Sequence, residues 1–341
     1  MRLINAISII SIVLLFSCKG DVKQVEVTNN PKDSVELAKS IDFESINNEL
    51  KADPDNAMLY IKRARLYQQY NDIPMAIEDI DRAIKIDSLV PDFYLLKAEF
   101  YKKEGGYAEA KRTLDKCMLI DNNNVQARIE LGWMAFLIQN YKQALDYADA
   151  ALKLNVYSAE AYYLKGMIFY EQQDTAKAIS SFITAVEQEK NYYDAYIQLG
   201  LLHLNQSNTL AKEYFKNALT IKPTSNEALY NYGYACQLRG EYDEAILTYE
   251  KMIAIQPFRE PLYNIAYINQ EYFQKYDVAI DYYTRAIEIS PLYFTAIYNR
   301  GLCFEKLGDL KNAENDFRKT LKIKSDYDYA ALALERVLKG K

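Results

Sequence analysis

A single histidine, His203, stands in a chain of 341 residues. Any Ser-His-Asp or Cys-His arrangement would have to route its proton through that imidazole, and no nucleophile motif stands near it. Acidic pairs such as Asp79/Asp81 and Glu187/Glu189 have the residue type of glycosidase carboxylates. They fall among polar positions of helical segments and read instead as a solvated outer face. Beyond Cys18, the cysteines Cys117, Cys236 and Cys303 lie in segments that are not neighbours. Their thiols are expected too far apart to bridge, and they read as three small buried hydrophobes. No Cys/His cluster offers a zinc site, and no glycine-rich phosphate loop is present. The expectation is therefore no catalytic residue, no metal, no cofactor and no enzyme.

What must position these residues is a repeat. A small residue recurs at Ala64, Ala98, Gly132, Gly166, Gly200, Gly233, Ala266 and Gly301, at spacings of 34, 34, 34, 34, 33, 33 and 35. A second series follows at Ala76, Ala110, Ala144, Ala178, Ala211, Ala245, Ala279 and Ala313. Self-similarity at this period means units that bury an apolar face only against their neighbours. The sixth repeat shows the logic. Leu229, Gly233 and Cys236 follow helical spacing; Gly240 breaks that helix; Tyr242, Ala245, Ile246, Tyr249, Met252 and Ile253 make the stripe of a second helix. Pro257 then stands where the next helix is about to begin. Gly105, Gly240 and Gly308 share one turn position with Asn71. The small residues are expected where the two helices of a hairpin cross, so that Gly166 faces Ala178.

The pattern resembles the tetratricopeptide repeat, a 34-residue helix–turn–helix with small residues at positions 8, 20 and often 27, an aromatic near 24 and proline at 32. Position 24 holds Phe182, Phe215, Tyr249, Tyr283 and Phe317, while Pro223, Pro257 and Pro291 end their repeats. Repeats two to four lack the proline, and repeat five is one residue short at Gln206-Ser207-Asn208. The resemblance implies an all-α, right-handed superhelical solenoid of about eight repeats over 56–325. A half repeat or cap over 35–55 would precede it, and a capping helix over 326–341 would close it.

The N-terminus carries a basic start and an apolar run that ends Leu15-Phe16-Ser17-Cys18. This is similar to a bacterial lipobox. The similarity implies a signal peptide over 1–17, lipidation (palmitate) of Cys18, and a tether over 18–34. It places the chain at the cell envelope, lipid-anchored and expected in the outer membrane, since Lys19 stands where an inner-membrane aspartate would. Removal of residues 1–17 would take away Arg2 and move the formal net charge from −6 to −7. A mildly acidic chain with dispersed charge is a poor nucleic-acid binder.

In the resembled family the first helix of each repeat lines a concave groove through positions 2, 5, 9, 12 and 13. Carried over, the groove would hold Trp133, Phe136, Tyr163, Tyr170, Tyr230, Tyr234, Tyr263, Tyr267 and Tyr298. Asn231, Asn264 and Asn299 stand beside the position-5 tyrosines. Aromatic rings with a polar tip suit a protein-binding surface. The lysines that clamp a terminal carboxylate in chaperone-type members are missing. The implied function is a non-enzymatic scaffold or adaptor lipoprotein that binds a partner protein or peptide, with no nucleic acid and no small-molecule cofactor. A glycan-binding surface lipoprotein is the alternative.

Overall fold

A computed structural model describes residues 31–205 and 209–340. The lipobox with Cys18 and the segment Gln206-Ser207-Asn208 lie outside the described residues. Among the described residues every regular element is an α-helix, and none is long and apolar enough to cross a membrane.

The chain divides into two compact units, 1–88 and 89–341. The first holds α1 (Pro31–Ala52), α2 (Ala57–Gln69) and α3 (Ile73–Ile86). Helix α1 thus starts inside the stretch read as a tether. The second unit holds α4 (Pro91–Lys103), α5 (Tyr107–Ile120), α6 (Val125–Leu137), α7 (Tyr141–Leu154), α8 (Ala159–Glu171) and α9 (Thr175–Gln188). It continues with α10 (Tyr193–Asn205), α11 (Leu210–Ile221), α12 (Asn226–Leu238), α13 (Tyr242–Ile255), α14 (Arg259–Glu271) and α15 (Tyr276–Ile289). The last three are α16 (Phe294–Lys306), α17 (Leu310–Ile323) and α18 (Asp328–Lys339). Each repeat is one helical hairpin, α2 with α3 and so on to α16 with α17, and α18 packs Ala333 and Val337 against Ala313 and Phe317.

Local chemistry sets the helix ends. Asn56, Asn124, Ser158 and Ser225 cap the first helices of their repeats; Asp72, Asn140, Asp174 and Asp309 cap second helices, each side chain accepting a backbone N–H. Such acceptors satisfy donors that a helix start leaves orphaned. The turn inside each described hairpin passes through a left-handed residue. Gly105, Gly240 and Gly308 take it as expected, but so do Asn71, Gln139, Gln173 and Gln274, at φ 59°, 60°, 62° and 54°. The three glutamines carry no sequence signal for this conformation, which costs an L-residue with a Cβ about 1–2 kcal/mol.

The small residue at position 8 meets more than the small residue of the facing helix. A Cβ built on Gly166 would lie 2.5 Å from Phe182 Cδ1 and 2.9 Å from Cζ, so its nearest neighbour is the ring of position 24, while a Cβ on Gly132 would also lie 3.5 Å from the Ala144 carbonyl oxygen. Gly200 meets Phe215 in the same way, Gly233 meets Tyr249, and Gly301 meets Phe317. In repeat three position 24 is Ala148, and Leu164 of the following repeat takes the place, 2.7 Å from a Cβ on Gly132. These rings are fully buried. The glycine therefore makes a slot for an aromatic that plugs its own hairpin.

A second difference concerns Asp79, expected on a solvated face. It is 1 % exposed, and both its oxygens accept from Arg63, at 2.6 and 2.7 Å. Arg300 grips Asp316 in the same register of repeat eight, at 2.8 Å twice. Here the polar pattern hid a bidentate ion pair across the hairpin, which satisfies a buried carboxylate. Glu187 and Glu189 are exposed as expected.

Candidate functional site

Helices α6, α8, α12, α14 and α16 carry every ring assigned to the groove, all within the second unit. Tyr170 and Tyr234 are exposed, at 41 % and 36 %, and the remaining rings are half-buried. Two tyrosine pairs repeat the same geometry on successive first helices. Tyr230 and Tyr234 lie 6.5 Å apart with planes 10° apart; Tyr263 and Tyr267 lie 6.3 Å apart at 14°. Residues four apart share a helix face, so each pair presents two parallel rings one turn apart. Tyr298 packs edge-on against Tyr327 at 5.2 Å, which covers part of its ring.

Three of the polar tips, Asn264, Asn299 and the Tyr263 hydroxyl, are engaged inside the fold. Asn264 Nδ2 donates to the Tyr249 hydroxyl at 3.1 Å, and Asn299 Nδ2 donates to the Tyr263 hydroxyl at 2.8 Å. Tyr249 in turn donates to Gln237 Oε1 at 3.2 Å, and Tyr283 to Gln270 Oε1 at 2.9 Å. The asparagines thus tie each repeat to the one before it. Desolvation pushes the Tyr263 hydroxyl up to about 12, so it stays protonated at neutral pH. What these residues offer to a partner is the faces of the rings.

Toward the other end of the unit, Trp133 sits T-shaped to Phe136 at 5.5 Å and tilted to Tyr163 at 5.9 Å. Tyr163 is wedged further between Phe182 and Tyr192, and burial raises its hydroxyl to about 12. Trp133 also donates to Glu160, whose carboxyl is pushed up by burial and held down by Gln126. Trp133 and Phe136 wall a cavity of about 530 Å³ with Lys102, Lys103, Glu130 and Glu160. A second cavity, about 490 Å³ and mainly apolar, opens beside Tyr107, Leu131, Met134 and Ile138. A third, about 320 Å³, lies between repeats six and seven, lined by Asn226, Glu227, Tyr230, Asn231, Met252, Phe258 and Glu260.

The residues weighed for chemistry are placed as structural parts. His203 is buried and stacks on Tyr214 at 5.2 Å, and neither ring nitrogen has a hydrogen-bond partner among the described residues. Desolvation lowers its pKa, so the ring is neutral at pH 7. Cys117, Cys236 and Cys303 are free and buried, and burial raises their thiols to about 11, 12 and 12. Thiols so protonated are inert. Cys236, Glu241 and Glu244 do converge within metal-ligand distance. The Lys212 ammonium already fills that place, 2.6 Å from Glu241 and 2.7 Å from Glu244. Its bonds hold both carboxyls below their usual range, so this cluster is a closed ion-pair network.

Comparison with known proteins now bears on this geometry. Among curated proteins, the BBSome complex member BBS4 of Bos taurus is 31% identical over 175 residues, covering 50% of this chain and 33% of its own. The chain spans 31% to 58% of the length of the first curated relatives it matches. Among solved structures, Pseudomonas aeruginosa PilF shares 22% identity with a TM-score of 0.51, over 60% of this chain and 93% of its own. PilW, a type IV pilus biogenesis factor, shares 18% identity with a TM-score of 0.52, over 60% and 96%. Likeness at that identity shows the fold alone. Tetratricopeptide repeat profiles match residues 91–124, 129–193, 197–260 and 269–328, which is most of the chain, and the glycine–ring slots at Gly166, Gly200, Gly233 and Gly301 all lie within the matched segments. The protein belongs to the tetratricopeptide repeat family.

Proposed function

We propose that the protein is a non-enzymatic scaffold that holds a partner protein or peptide on the tyrosine-lined face of repeats six to eight. We further propose that it does so as a bacterial lipoprotein, anchored through Cys18 at the cell envelope and in the outer membrane. The observation that carries the binding reading is the pair of parallel tyrosine stacks, Tyr230/Tyr234 and Tyr263/Tyr267, each partly exposed on one helix face. Aromatic faces bury large area with little rotamer entropy, which is what interface anchors need. The anchor reading rests on Leu15-Phe16-Ser17-Cys18 alone. Several acyl chains on one residue give stable anchoring, since each buried CH₂ contributes about 0.8 kcal/mol.

The binding reading is tested by Tyr234→Ala with Tyr267→Ala in one chain. Partner recovery in a pull-down should fall strongly, because buried aromatic anchors often carry about 2 kcal/mol or more each. The melting curve should move little. Full recovery from a well-folded double variant removes this strip as the binding face and shifts attention to Trp133, Phe136 and Tyr170. For the anchor, Cys18→Ala should leave an unlipidated precursor. Normal maturation and outer-membrane fractionation of that variant would exclude lipidation at Cys18.

A further inference from the structure

The cavity between repeats six and seven sits at one end of the stacked tyrosines and differs from them in chemistry. Its floor is apolar: Tyr230, Met252 and Phe258. Its polar groups are oxygen acceptors at Glu227 and Glu260, with the amides of Asn226 and Asn231. A first-turn carboxylate is ordinary at a helix N-terminus; here two of them stand beside an apolar bed.

The two carboxylates belong to a longer series. Asp92, Glu160, Asp194, Glu227 and Glu260 all hold position 2 of their repeats, while Met58, Gln126 and Thr295 complete the row. Asp194 and Glu227 both act through space on the Tyr163 hydroxyl, and Glu160 and Asp194 on Tyr192. The surface also shows how it receives a cation. Lys222 Nζ lies 3.9 Å from the centre of the Tyr193 ring, whose hydroxyl donates to Glu227 at 3.3 Å. Arg259 lies 5.0 Å over the Tyr293 ring and reaches Glu260 at 2.7 Å, with its Nη1 turned away to Ser290. Ring face plus carboxylate is therefore a cation-holding combination this surface already uses.

Building on the groove reading, we propose that the partner segment is basic: a lysine or arginine enters the cavity between repeats six and seven. Its alkyl stem lies on Tyr230, Met252 and Phe258. Its charged head donates to the carboxylates of Glu227 and Glu260. An apolar neighbour in the segment then rests on the Tyr234 and Tyr267 rings. Charge complementarity of this kind sets partner choice and approach rate. The chain's net charge of −6 works in the same direction.

The test is a random-sequence peptide library displayed on phage and panned on the full chain, with every recovered peptide rechecked on the Tyr234→Ala/Tyr267→Ala variant. Peptides that lose binding there are groove-dependent. They should be enriched in lysine and arginine, and Glu227→Gln with Glu260→Gln should weaken them about tenfold, with a shallower salt dependence. A melting curve confirms that the glutamine variant is folded. Groove-dependent peptides without basic enrichment, or with unchanged affinity for the folded glutamine variant, overturn this proposal and leave the groove reading standing. Recovery only of peptides that bind the tyrosine variant equally well overturns the groove reading and this proposal with it.

Discussion

Replacing Gly166 with alanine tests the claim that position 8 is a ring slot. Alanine in place of a mid-helix glycine should stabilise by about 0.8–1 kcal/mol through propensity alone. Against this, the new methyl would lie 2.5 Å from Phe182 Cδ1, about 1 Å inside the usual carbon–carbon contact. Phe182 is fully buried and packed between Tyr163 and its own helix, so the ring has no free direction in which to move. Overpacking of that kind costs about 1–3 kcal/mol. The net expectation is a loss of up to about 2 kcal/mol, opposite in sign to propensity. Other repeats show the remedy. Repeats one and two have alanine at position 8 with Ile80 and Leu114 at position 24, both fully buried. Phe182→Leu alone should cost about 1–2 kcal/mol for the cavity it leaves. Together the two substitutions should cost less than Phe182→Leu alone. Chemical denaturation of the four chains closes the cycle. Hydrogen exchange should rise first in α8 and α9 and their neighbours, because a repeat array couples mainly adjacent units. Additivity within about 0.5 kcal/mol, or a stabilising Gly166→Ala, refutes the slot.

The other predictions concern the turn, the histidine and the inter-repeat bonds. Gln173→Gly should stabilise by about 0.5–1 kcal/mol, since glycine takes the left-handed conformation freely and the side chain is exposed; an unchanged or lowered melting temperature contradicts that. His203→Phe should stabilise at pH 7 by about 1–2 kcal/mol, because it removes two buried nitrogens that have no partner among the described residues. The pH dependence has a definite sign. Burial depresses the folded-state pKa below the ordinary 6.5, so the native protein binds fewer protons than the unfolded chain, and stability present above 6.5 is lost as pH falls toward the depressed value. The advantage of His203→Phe should thus widen on acidification, and melting curves that stay parallel between neutral and mildly acidic pH count against it. Tyr263→Phe should cost about 1 kcal/mol by breaking the Asn299 bond, while partner recovery holds; a drop in recovery without a drop in stability would mean that the hydroxyl, not the ring face, serves the partner.

The fold was legible because its signals repeat. One glycine in a helix is weak, but eight small residues in register, with capping residues and turn glycines in phase, leave one architecture. The cause of the glycines was not legible. Sequence spacing places Gly166 and Ala178 on facing helices, yet which side chain enters the gap depends on the aromatic rotamer of Phe182, four residues further on. The glutamine turns were hidden for a related reason. Residues of the hairpin on both sides impose the left-handed conformation at Gln139 and Gln173, and the turn residue itself contributes nothing toward it. Asp79 read as solvated because its partner Arg63 is sixteen positions away, on the other helix of the hairpin.

The groove shows the same division, and it decides how its tyrosines should be understood. Register along the first helices identifies Tyr230, Tyr234, Tyr263 and Tyr267 as residues of one face. It cannot say which end of each ring is spent. The structure spends the hydroxyl of Tyr263 on Asn299 of the next repeat, while Asn264 is spent on Tyr249 of the repeat before. Phenylalanine at 263 would offer the same face but take the Tyr263 acceptor from Asn299, itself half-buried. Serine or asparagine would lose the face. Tyr263 does both, so a single side chain ties repeat seven to repeat eight and supplies contact surface. The two stacks themselves sit in repeats six and seven, which the Asn264–Tyr249 bond joins. Weakening that bond would shift the two stacks relative to each other before it altered either one, and a segment engaging only one stack would not register the change.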